Sequence, residues 1–507
     1  MRTEEQKGHS KNIIKNTDGA EVNSATQIES ISVRQITPEK FFVFIAVLVG
    51  SLLVFLTPPM AVPDENTHFM NAYAVSKGDF FADVEDGQIG VWMPQVYVDF
   101  ISNYNKKFTS GLEEKQNFAQ YYLDSWLRQD MGKSVFYVTA LRKINPVGYL
   151  VSGFGMAIGR TFINLCSADM CLPYNILLFG RIFNLMFYII VTYYAIKITP
   201  IFKRTMLLLS LMPMSIYLAA SVSYDAVIIP ISFLFFAYAM KLIKAEDSYI
   251  ITKKDIFLIS VITIFLVGIK VAYVPFMLIL FCIKRQHFGT TKRYLMIVGY
   301  VASLALLIYV LPAMVNHTDV MTQGIVVDTD QYQMLQKEFL ATHKNLMLPI
   351  LLNTFANLKF FYATGLFGIL GNLDTNFPAP VLLCFYLILI ATVLVDASEA
   401  GHFSLRLKMI TAVAFIICIL GMFYVMYINW TSLPNVEGVG ADYVSGIQGR
   451  YFIPISLFFF LLFSNTWLKR HCSTILQKVS QKISYTVYFT TGICVLLTIM
   501  TVYLRFW

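Results

Sequence analysis

The sequence predicts an all-α integral membrane protein with about 11–13 transmembrane helices and a large first extracytoplasmic loop. Of its 507 residues, 57% are hydrophobic and only 14% are charged, whereas soluble domains carry about 25% charged residues. The apolar residues form long runs, and Lys and Arg collect in the loops on one side of these runs. These observations exclude a soluble multidomain enzyme, a disulfide-rich secreted module and a disordered chain.

The formal charge of +8 does not indicate a nucleic-acid partner. In a membrane protein an excess of Lys and Arg usually marks the cytoplasmic loops. The partner that the composition predicts is the lipid bilayer, and the expected location is a cytoplasmic membrane.

The chain begins with a polar segment, residues 1–39, which holds five Lys or Arg and six Asp or Glu and has no apolar periodicity. We predict a disordered cytoplasmic tail here. The first apolar run follows it and ends at Pro58 and Pro59 rather than at a small-residue cleavage site. The run is therefore interpreted as a retained signal anchor, with the N-terminus in the cytoplasm.

A helix needs about 20 apolar residues to cross a bilayer, and eleven runs are candidates. The pair of runs over 255–284 is predicted to be a hairpin broken around Lys270. The eleven candidates are 40–57, 175–198, 204–223, 224–243, 255–269, 270–284, 294–312, 378–396, 407–428, 450–467 and 484–505.

Two further stretches, 146–163 and 347–371, are ambiguous, and the loop charges help to assign them. If neither crosses, the short inner loops hold 17 Lys or Arg. The outer side after residue 174 holds five, when Arg181 within a span and the terminal Arg505 are left out, namely Lys270, Lys337, Lys344, Lys359 and Arg450. That is a strong positive-inside bias, which a crossing by 146–163 alone would invert. We therefore predict that 146–163 lies flat on the outer surface and that 347–371 is re-entrant or interfacial. Thirteen spans is the alternative.

This topology divides the chain into a tail, an N-terminal transmembrane module over 40–312, an outer loop over 313–377 and a C-terminal transmembrane module over 378–507. The N-terminal module carries the large outer loop 58–174. Loops of that length are usually functional. The sequence has no nucleotide-binding glycine loop and no internal repeat, which weakens an inverted-repeat transporter as the interpretation.

Five of the seven cysteines lie in or beside predicted spans, where packing is their expected role. Cys166 and Cys171 fall on the predicted outer side. An oxidising exterior would permit a disulfide between them, and two free thiols are the alternative.

The most informative polar segment leaves the outer end of the first span, where Pro63 is followed by Asp64 and Glu65, and then by His68. If a helix begins after Pro63, Asp64 and His68 share one face of it. Helix capping alone would explain the two carboxylates but not His68. These three residues are the candidate catalytic group.

Further polar residues fall on the predicted outer side. Each could be a snorkelling or capping residue by itself, but ionisable groups near a bilayer need water or a partner, so several on one side favour a site. For Arg450 the alternative is a snorkelling residue paired with Asp442 or Glu437. The candidate substrate-binding and phosphate-binding residues are Arg450, Lys270, Arg181, Asp225, Asp374, Tyr273 and Gln448.

Such a group of residues suits a transfer reaction on an anionic lipid. Carboxylates can deprotonate a hydroxyl or hold a divalent cation such as Mg²⁺ or Mn²⁺, for which Asp64 and Glu65 are the candidate ligands. Arg and Lys can hold a phosphate. Nucleotide-activated donors are not normally available outside the cytoplasmic membrane. A transferase there would therefore need a lipid-linked donor.

Six short motifs occur in order along the chain. They are Val62-Pro63-Asp64-Glu65 with His68 and Ala72-Tyr73, Asn145-Pro146-Val147-Gly148-Tyr149, Gly180-Arg181-Ile182-Phe183-Asn184, Ser223-Tyr224-Asp225-Ala226, Lys270-Val271-Ala272-Tyr273-Val274-Pro275 and Gly449-Arg450-Tyr451-Phe452-Ile453-Pro454. Over about residues 40–465, these motifs resemble a bacterial membrane-protein family, the domain-of-unknown-function 2142 family. The two most specific motifs are the first and the last; one departure is Asn66-Thr67, where the family pattern has Pro-Ala.

That family looks like part of the GT-C superfamily of membrane glycosyltransferases, which have juxtamembrane helices in a large first outer loop and use polyprenyl-phosphate sugars. The resemblance implies that Asp64 is a general base or a metal ligand, with Glu65 beside it. The expected function is an inverting transfer of a sugar to a cell-envelope glycan, cell-wall polysaccharide or lipid at an extracytoplasmic site. The alternative is a transporter or flippase of a lipid-linked saccharide.

Overall fold

The computed structural model describes residues 36–507, apart from 87, 110–114, 120–121, 123–128, 131, 140–144, 167–169, 172 and 316–328. Nearly all of the predicted N-terminal tail lies outside these residues. Residues Thr37–Trp507 form one compact unit, so the two predicted transmembrane modules share one body.

The structure confirms the all-α fold class. In chain order, the α-helices of the described residues are α1 (Pro38–Leu56), α2 (Glu65–Lys77), α3 (Gln95–Thr109), α4 (Leu150–Cys166), α5 (Pro173–Ile198), α6 (Lys203–Ser210), α7 (Pro213–Ala219), α8 (Asp225–Ile243), α9 (Lys253–Ile269), α10 (Thr291–Val315), α11 (Thr329–Thr342), α12 (Met347–Phe367), α13 (Ala379–Ala400), α14 (Leu405–Met426), α15 (Ser456–Leu461), α16 (Trp467–His471) and α17 (Ser473–Phe506).

The remaining elements are short. A π-helix, Tyr427–Thr431, extends α14, and 3₁₀-helices occur at Pro146–Tyr149, Val271–Cys282, Arg285–Phe288, Lys344–Leu346 and Gly449–Phe452. The strands are β1 (Asp83–Glu85), β2 (Gln88–Pro94), β3 (Gln129–Asp130), β4 (Ser134–Val138), β5 (Met170–Cys171), β6 (Ile369–Leu370) and β7 (Thr375–Asn376). They pair antiparallel as β1-β2-β4, β3-β5 and β6-β7.

Eight helices among the described residues are long and apolar enough to cross a membrane, namely α1, α5, α8, α10, α12, α13, α14 with its π extension, and α17. Some of the predicted spans differ from this pattern. The run 204–223 is two short buried helices, α6 and α7, which break just before Pro213, a residue that has no N–H to continue a helix. The run 450–467 is a 3₁₀ turn followed by the six-residue α15.

The predicted hairpin over 255–284 is correct in outline but its second arm is unusual. Helix α9 ends at Ile269, Lys270 adopts an extended conformation, and the chain continues as a 12-residue 3₁₀-helix, Val271–Cys282, which contains Pro275. A 3₁₀-helix is seldom longer than about four residues and often marks a strained or functional segment.

Contacts at the helix termini divide the bundle into two ends. The site end is defined here as the end at which Asp64 lies. Trp507 donates its indole hydrogen bond to the carbonyl of Leu56 there, joining the ends of α17 and α1. At the opposite end, Arg204 at the start of α6 pairs with Asp396 near the end of α13. Seven of the eight long helices, together with α6–α7, α9, Val271–Cys282 and the Gly449–Leu461 segment, correspond to the eleven apolar runs that the sequence indicated.

The eighth long helix, α12, packs on the segment that follows α14. Near its start, Asn353 donates a hydrogen bond to the carbonyl of Asp442, and near its end Gly365 lies against Gly449. Both contacts are with the segment that follows α14 at the site end. The helix is continuous and is among those long and apolar enough to cross a membrane, so a re-entrant or interfacial position of 347–371 stays a prediction, with thirteen spans as the alternative.

Helix α4, within the segment 146–163, packs against its neighbours through glycines. A Cβ at Gly153 would lie 2.7 Å from Val75 of α2, and one at Gly159 would lie 2.8 Å from Phe179 of α5. The opposite face of α4 is an exposed apolar stripe. Such a helix, apolar on its free face and fixed on the other, suits the predicted position at a membrane surface. The stripe consists of Leu150, Phe154, Ile158 and Phe162.

Candidate functional site

Asp64 is the junction between the membrane-proximal turn and α2. Its backbone is left-handed, with φ 62° and ψ 10°, and it precedes the first residue of α2. Asp is one of the few non-glycine residues that adopt this conformation readily. Although Asp64 has the N-cap position, its side chain makes no capping hydrogen bond. Capping therefore does not account for this carboxylate, of which 53% is exposed.

The Asp64 carboxylate is paired with the guanidinium of Arg450, which donates a hydrogen bond from Nη2 to Oδ2. Only 2% of the Arg450 side chain is exposed. Its Nε lies 3.4 Å from Oδ2 of Asp225, and its Nη1 donates a 3.4 Å hydrogen bond to the carbonyl of Pro63. Its ion pairs among the described residues are to Asp64 and Asp225, so the alternative pairing with Asp442 or Glu437 is wrong.

The electrostatic environment keeps Asp64 ionised. Burial is the largest single cause and by itself raises the pKa of this carboxyl, but the charge and hydrogen bond of Arg450, together with the charges of His68 and Lys270, outweigh it, and the pKa lies below its usual value. Two carboxylates, Asp64 and Asp225, thus surround one buried guanidinium. The structure brings these three predicted site residues together.

Lys270 lies behind the group formed by Asp64, Asp225 and Arg450 and does not contact it directly. Its Nζ sits 3.2 Å from the ring centroid of Tyr451, in a cation–π contact. The Nζ is buried and has no hydrogen-bond partner among the described residues. Tyr273 donates a 2.9 Å hydrogen bond to the carbonyl of Tyr451. Both predicted binding residues therefore hold Tyr451 in place.

A cavity of about 440 Å³ lies in front of Asp64, within the usual range of ~300–1,000 Å³ for small-molecule sites. Aromatic and aliphatic side chains make up most of its wall, with Asp64 as the charged group. The Oε1 of Gln448, another lining residue, is buried and has no partner among the described residues. The lining residues are Asp64, Leu358, Phe361, Leu373, Met426, Trp430, Tyr443, Ser445, Gly446, Ile447, Gln448 and Tyr451.

The segment that carries Gln448 and Arg450 is fixed by Gly449. A Cβ at this position would lie 2.3 Å from the backbone of α12 at Tyr362 and Leu366. Glycine is needed here because the 3₁₀ turn packs directly on that helix. The close approach is thus to a neighbouring helix, which holds Arg450 at the depth of Asp64.

Glu65 and Arg181 form a separate ion pair with no exposed side-chain surface. Arg181 donates from Nε and Nη2 to the two carboxylate oxygens at 2.8 and 2.6 Å. It also donates to the carbonyls of Val54, Thr57 and Pro58 at the end of α1. This geometry contradicts a catalytic Glu65 and a phosphate-binding Arg181, because each group is occupied by the other and neither reaches the cavity.

The predicted metal site does not fit this arrangement. The two oxygens of Glu65 accept hydrogen bonds from Arg181 and from the backbone N–H groups of Met60 and Val222. Asp64 is directed instead at Arg450. The two carboxylates therefore face different arginines and do not converge on one cation. The part of the chain that the structure describes contains no cluster of three or more His, Cys, Asp or Glu suited to a metal ion.

His68 lies one turn into α2 and is 4% exposed. Its Nδ1 is 3.0 Å from the hydroxyl of Tyr149, and its ring makes an edge contact with Tyr224 at 4.7 Å. Burial lowers the pKa of His68 to about 4, although Asp64 attracts the protonated form. A neutral imidazole behind Asp64 supports that residue but does not reach the cavity wall.

Asp374 belongs to a third group. It lies in the turn between β6 and β7 and pairs with Arg505 of α17 at 2.8 Å. It also accepts a hydrogen bond from Thr375. Among the residues of this turn, Leu373 rather than Asp374 lines the cavity, so the structure does not bring the Asp374 carboxylate to the candidate site.

The chain was also compared with known proteins. Residues 47–459 match the model of a family described as predicted membrane protein (DUF2142). The chain belongs to this family. The match spans every candidate residue from Asp64 to Arg450, and it confirms the family that the sequence motifs indicated. No curated protein and no solved structure matches the chain.

Several residues of the site were missed by the sequence analysis. Trp430 and Tyr443 of the loop after α14 and Phe361 of α12 line the cavity, and Tyr149 holds His68. The signal for Tyr149 was its place in the motif Asn145-Pro146-Val147-Gly148-Tyr149, and the signal for the other three was the density of aromatic residues around them. Cys166 and Cys171, predicted as a possible disulfide, have side chains outside the described residues.

Proposed function

We propose that this protein is an integral-membrane glycosyltransferase that moves a sugar from a polyprenyl-phosphate-linked donor to a glycan or lipid acceptor of the cell envelope. The observation that carries the proposal is the Asp64 carboxylate, half exposed at a 440 Å³ cavity and backed by a buried arginine. A candidate base thereby lines the cavity, and a candidate phosphate-binding cation lies directly behind it. The site lies on the extracytoplasmic side of a bacterial cytoplasmic membrane, as the loop charges and the resemblance imply.

In the transfer step, the oxygen of an acceptor hydroxyl attacks the anomeric carbon of the donor and forms the new glycosidic bond. The bond between that carbon and the phosphate oxygen breaks, and its electron pair leaves with the lipid phosphate. Asp64 takes the hydroxyl proton. Attack from the side opposite the leaving phosphate inverts the anomeric configuration.

Charge separation in the transition state determines the role of the cations. The sugar ring becomes positive while the lipid phosphate gains negative charge. Arg450 stabilises the phosphate by direct hydrogen bonding, and Lys270 contributes its charge from behind the Tyr451 ring. Charges held in place before the reaction starts are often the largest contribution to catalysis.

The remaining wall of the cavity suits a sugar with a hydrocarbon chain. Trp430, Tyr443 and Tyr451 offer aromatic surfaces to the apolar face of a sugar ring, and the Oε1 of Gln448 can accept a hydrogen bond from a sugar hydroxyl. Leu358 and Met426 give one part of the wall an aliphatic character, which suits the first isoprene unit of a donor lipid.

Glu65 and Arg181 position this site without entering it. Their ion pair connects the start of α2 to α5, and the further hydrogen bonds of Arg181 fix the exit of α1. The turn that carries Asp64 lies between these two anchored segments. The pair therefore sets where Asp64 meets Arg450, and no divalent cation is required for this role.

The test is transfer in proteoliposomes that contain the purified protein, a panel of polyprenyl-phosphate sugars and envelope lipids and glycans as acceptors. We expect a covalent product, seen as the mass of one added sugar, with the parent protein and far less with Asp64→Asn. A transporter or flippase would move the donor between leaflets without forming this product. Donor movement without any covalent product would overturn the proposal in favour of that alternative.

A further inference from the structure

Among the described residues, the guanidinium of Arg450 contacts Asp64, Asp225 and the carbonyl of Pro63, and of these partners Asp64 lines the cavity. Asp64 lines the cavity and is half exposed, whereas 2% of the Arg450 side chain is exposed. Asp225 and the carbonyl of Pro63 lie against other parts of the guanidinium. An anion that enters the cavity therefore reaches Arg450 only by taking the place of the Asp64 carboxylate.

The Asp64 carboxylate is not needed elsewhere. It makes no capping hydrogen bond to α2, so the helix does not depend on it. The left-handed backbone at this position suits Asp, Asn or Gly, which means that the turn can keep its shape while the side chain rotates.

The charges around Arg450 allow an incoming anion to replace the Asp64 carboxylate. Arg450 and Lys270 are opposed by Asp64 and Asp225, which gives two cations and two anions. When a phosphodiester with one negative charge replaces Asp64 at Arg450, Asp225 stays in place and the charge on Arg450 remains compensated. The Nη2 that Asp64 vacates can donate a hydrogen bond to an oxygen of the incoming group, while the Nε of Arg450 stays 3.4 Å from Oδ2 of Asp225.

We propose that the Asp64–Arg450 ion pair is a latch that the lipid-borne phosphodiester opens by taking the place of Asp64 on Arg450. The inference rests on the proposed function, since the phosphodiester is that of the donor. Displacement turns the Asp64 carboxylate toward the cavity, where it can accept the proton of a hydroxyl. The base is therefore released only when a donor is bound, so the donor binds before the acceptor and the empty site holds no free base.

The latch makes a prediction that a purely catalytic Asp64 does not make, because removal of Asp64 should strengthen anion binding. The binding constant is measured by calorimetry on the full chain in nanodiscs, with a short isoprenyl methyl phosphodiester as the probe. If the latch is closed about nine-tenths of the time, Asp64→Asn tightens the dissociation constant about tenfold. Asn suits the backbone of this position, and Asp64→Gly serves as a second variant.

Two controls test whether the effect belongs to the latch. Asp247→Asn removes an exposed carboxylate of the opposite end, paired with Lys284, and should bind the probe like the parent. In an Arg450→Gln background, binding should weaken and Asp64→Asn should have no further effect, because the two residues act as one unit. Dimethyl phosphate added in water should bind more weakly than the lipid probe.

The outcomes separate a failure of the latch from a failure of the transferase. Equal or weaker probe binding by both Asp64 variants overturns it, even if the proteoliposomes form product. Equal binding of dimethyl phosphate and the lipid probe overturns the lipid as the source of the anion. Tighter binding by the variants, without any product in the transfer assay, supports the latch and overturns the transferase instead.

Discussion

Asp64 and Arg450 are 386 residues apart in the chain, and they form an ion pair in which the carboxylate faces a cavity and the guanidinium is buried. Asp64 comes from the turn after α1, and Arg450 from a 3₁₀ turn held against α12 by Gly449. The first and last specific motifs of the family thus meet at one point. This contact is the basis of the predictions below.

Asp64→Asn is expected to lower turnover by ~10²-fold or more, the usual effect of losing a general acid–base residue. The amide keeps the shape of the side chain and suits its left-handed backbone, so expression and folding should be preserved. Turnover is measured in proteoliposomes at matched protein content. Parent-like turnover in this variant would contradict the assignment of the base.

Arg450→Lys tests whether the guanidinium geometry matters. Lys keeps the charge but cannot contact Asp64, Asp225 and a phosphate in the way that the planar guanidinium does. We expect the donor KM to rise and turnover to fall, together by about 10- to 100-fold, as expected for one or two lost charge-assisted hydrogen bonds. The measurement is the donor dependence of transfer. A membrane anchor would tolerate Lys, so parent-like kinetics would contradict phosphate binding.

Glu65→Gln should damage stability more than chemistry. The variant leaves the fully buried Arg181 without its counter-ion, and breaking a buried pair in this way costs about 3–5 kcal/mol. Thermal unfolding in detergent should shift strongly downward, while Asp247→Asn at an exposed pair should leave it unchanged. A stable Glu65→Gln protein with abolished turnover would instead return Glu65 to the catalytic group.

His68 should make the protein less stable in acid. Its pKa is about 4 in the folded protein against 6.5 for the free residue, so the unfolded chain binds a proton in this window that the folded chain does not. Stability is therefore full above pH 6.5 and falls as the pH drops toward 4, by at most about 3 kcal/mol. The charged groups that act on His68 are Asp64, Asp225, Arg450 and Glu65.

The measurement is thermal unfolding at pH 7.5 and pH 4.5 for the parent and for His68→Gln. The parent should lose more stability between these two values than the variant, because Gln does not titrate. An equal loss in both proteins would show that other groups, with Asp64 the first to examine, cause the acid sensitivity. The lowered pKa of Asp64 acts in the same direction, since its ion pair is lost as the pH falls through that pKa.

Chelation should leave transfer unchanged. Glu65 faces Arg181 and Asp64 faces Arg450, so the two carboxylates do not converge on one cation. We expect equal product formation in EDTA and in added Mg²⁺ or Mn²⁺. Loss of activity in EDTA that Mg²⁺ restores would contradict this account of the site.

The fold class and much of the site could be predicted because both depend on patterns within single segments. Apolar runs and loop charges indicated eleven passes, and the polar residues at the ends of these runs included Asp64, Asp225 and Arg450. The secondary structure within some of these runs could not be predicted. The break before Pro213 and the long 3₁₀-helix Val271–Cys282 lie within runs that are uniformly apolar, and hydropathy does not distinguish them from one helix.

The partners of the charged residues could not be predicted, because they depend on contacts between distant segments. Asp64 and Glu65 are adjacent, and the sequence suggested one acidic pair. In the structure α2 begins between them, the backbone of Asp64 is left-handed, and the two side chains reach different arginines. The prediction assigned Arg181 to phosphate binding because nothing in the sequence near it indicates that it forms an ion pair with Glu65.

The most direct test of the central claim is a structure of Asp64→Asn in nanodiscs with a polyprenyl-phosphate sugar bound. The account predicts the phosphate at the guanidinium of Arg450, the sugar ring in the cavity beside Trp430, and the anomeric carbon facing residue 64 with room for a hydroxyl about 3–3.5 Å away. A phosphate bound away from Arg450, or a sugar outside this cavity, would contradict the account.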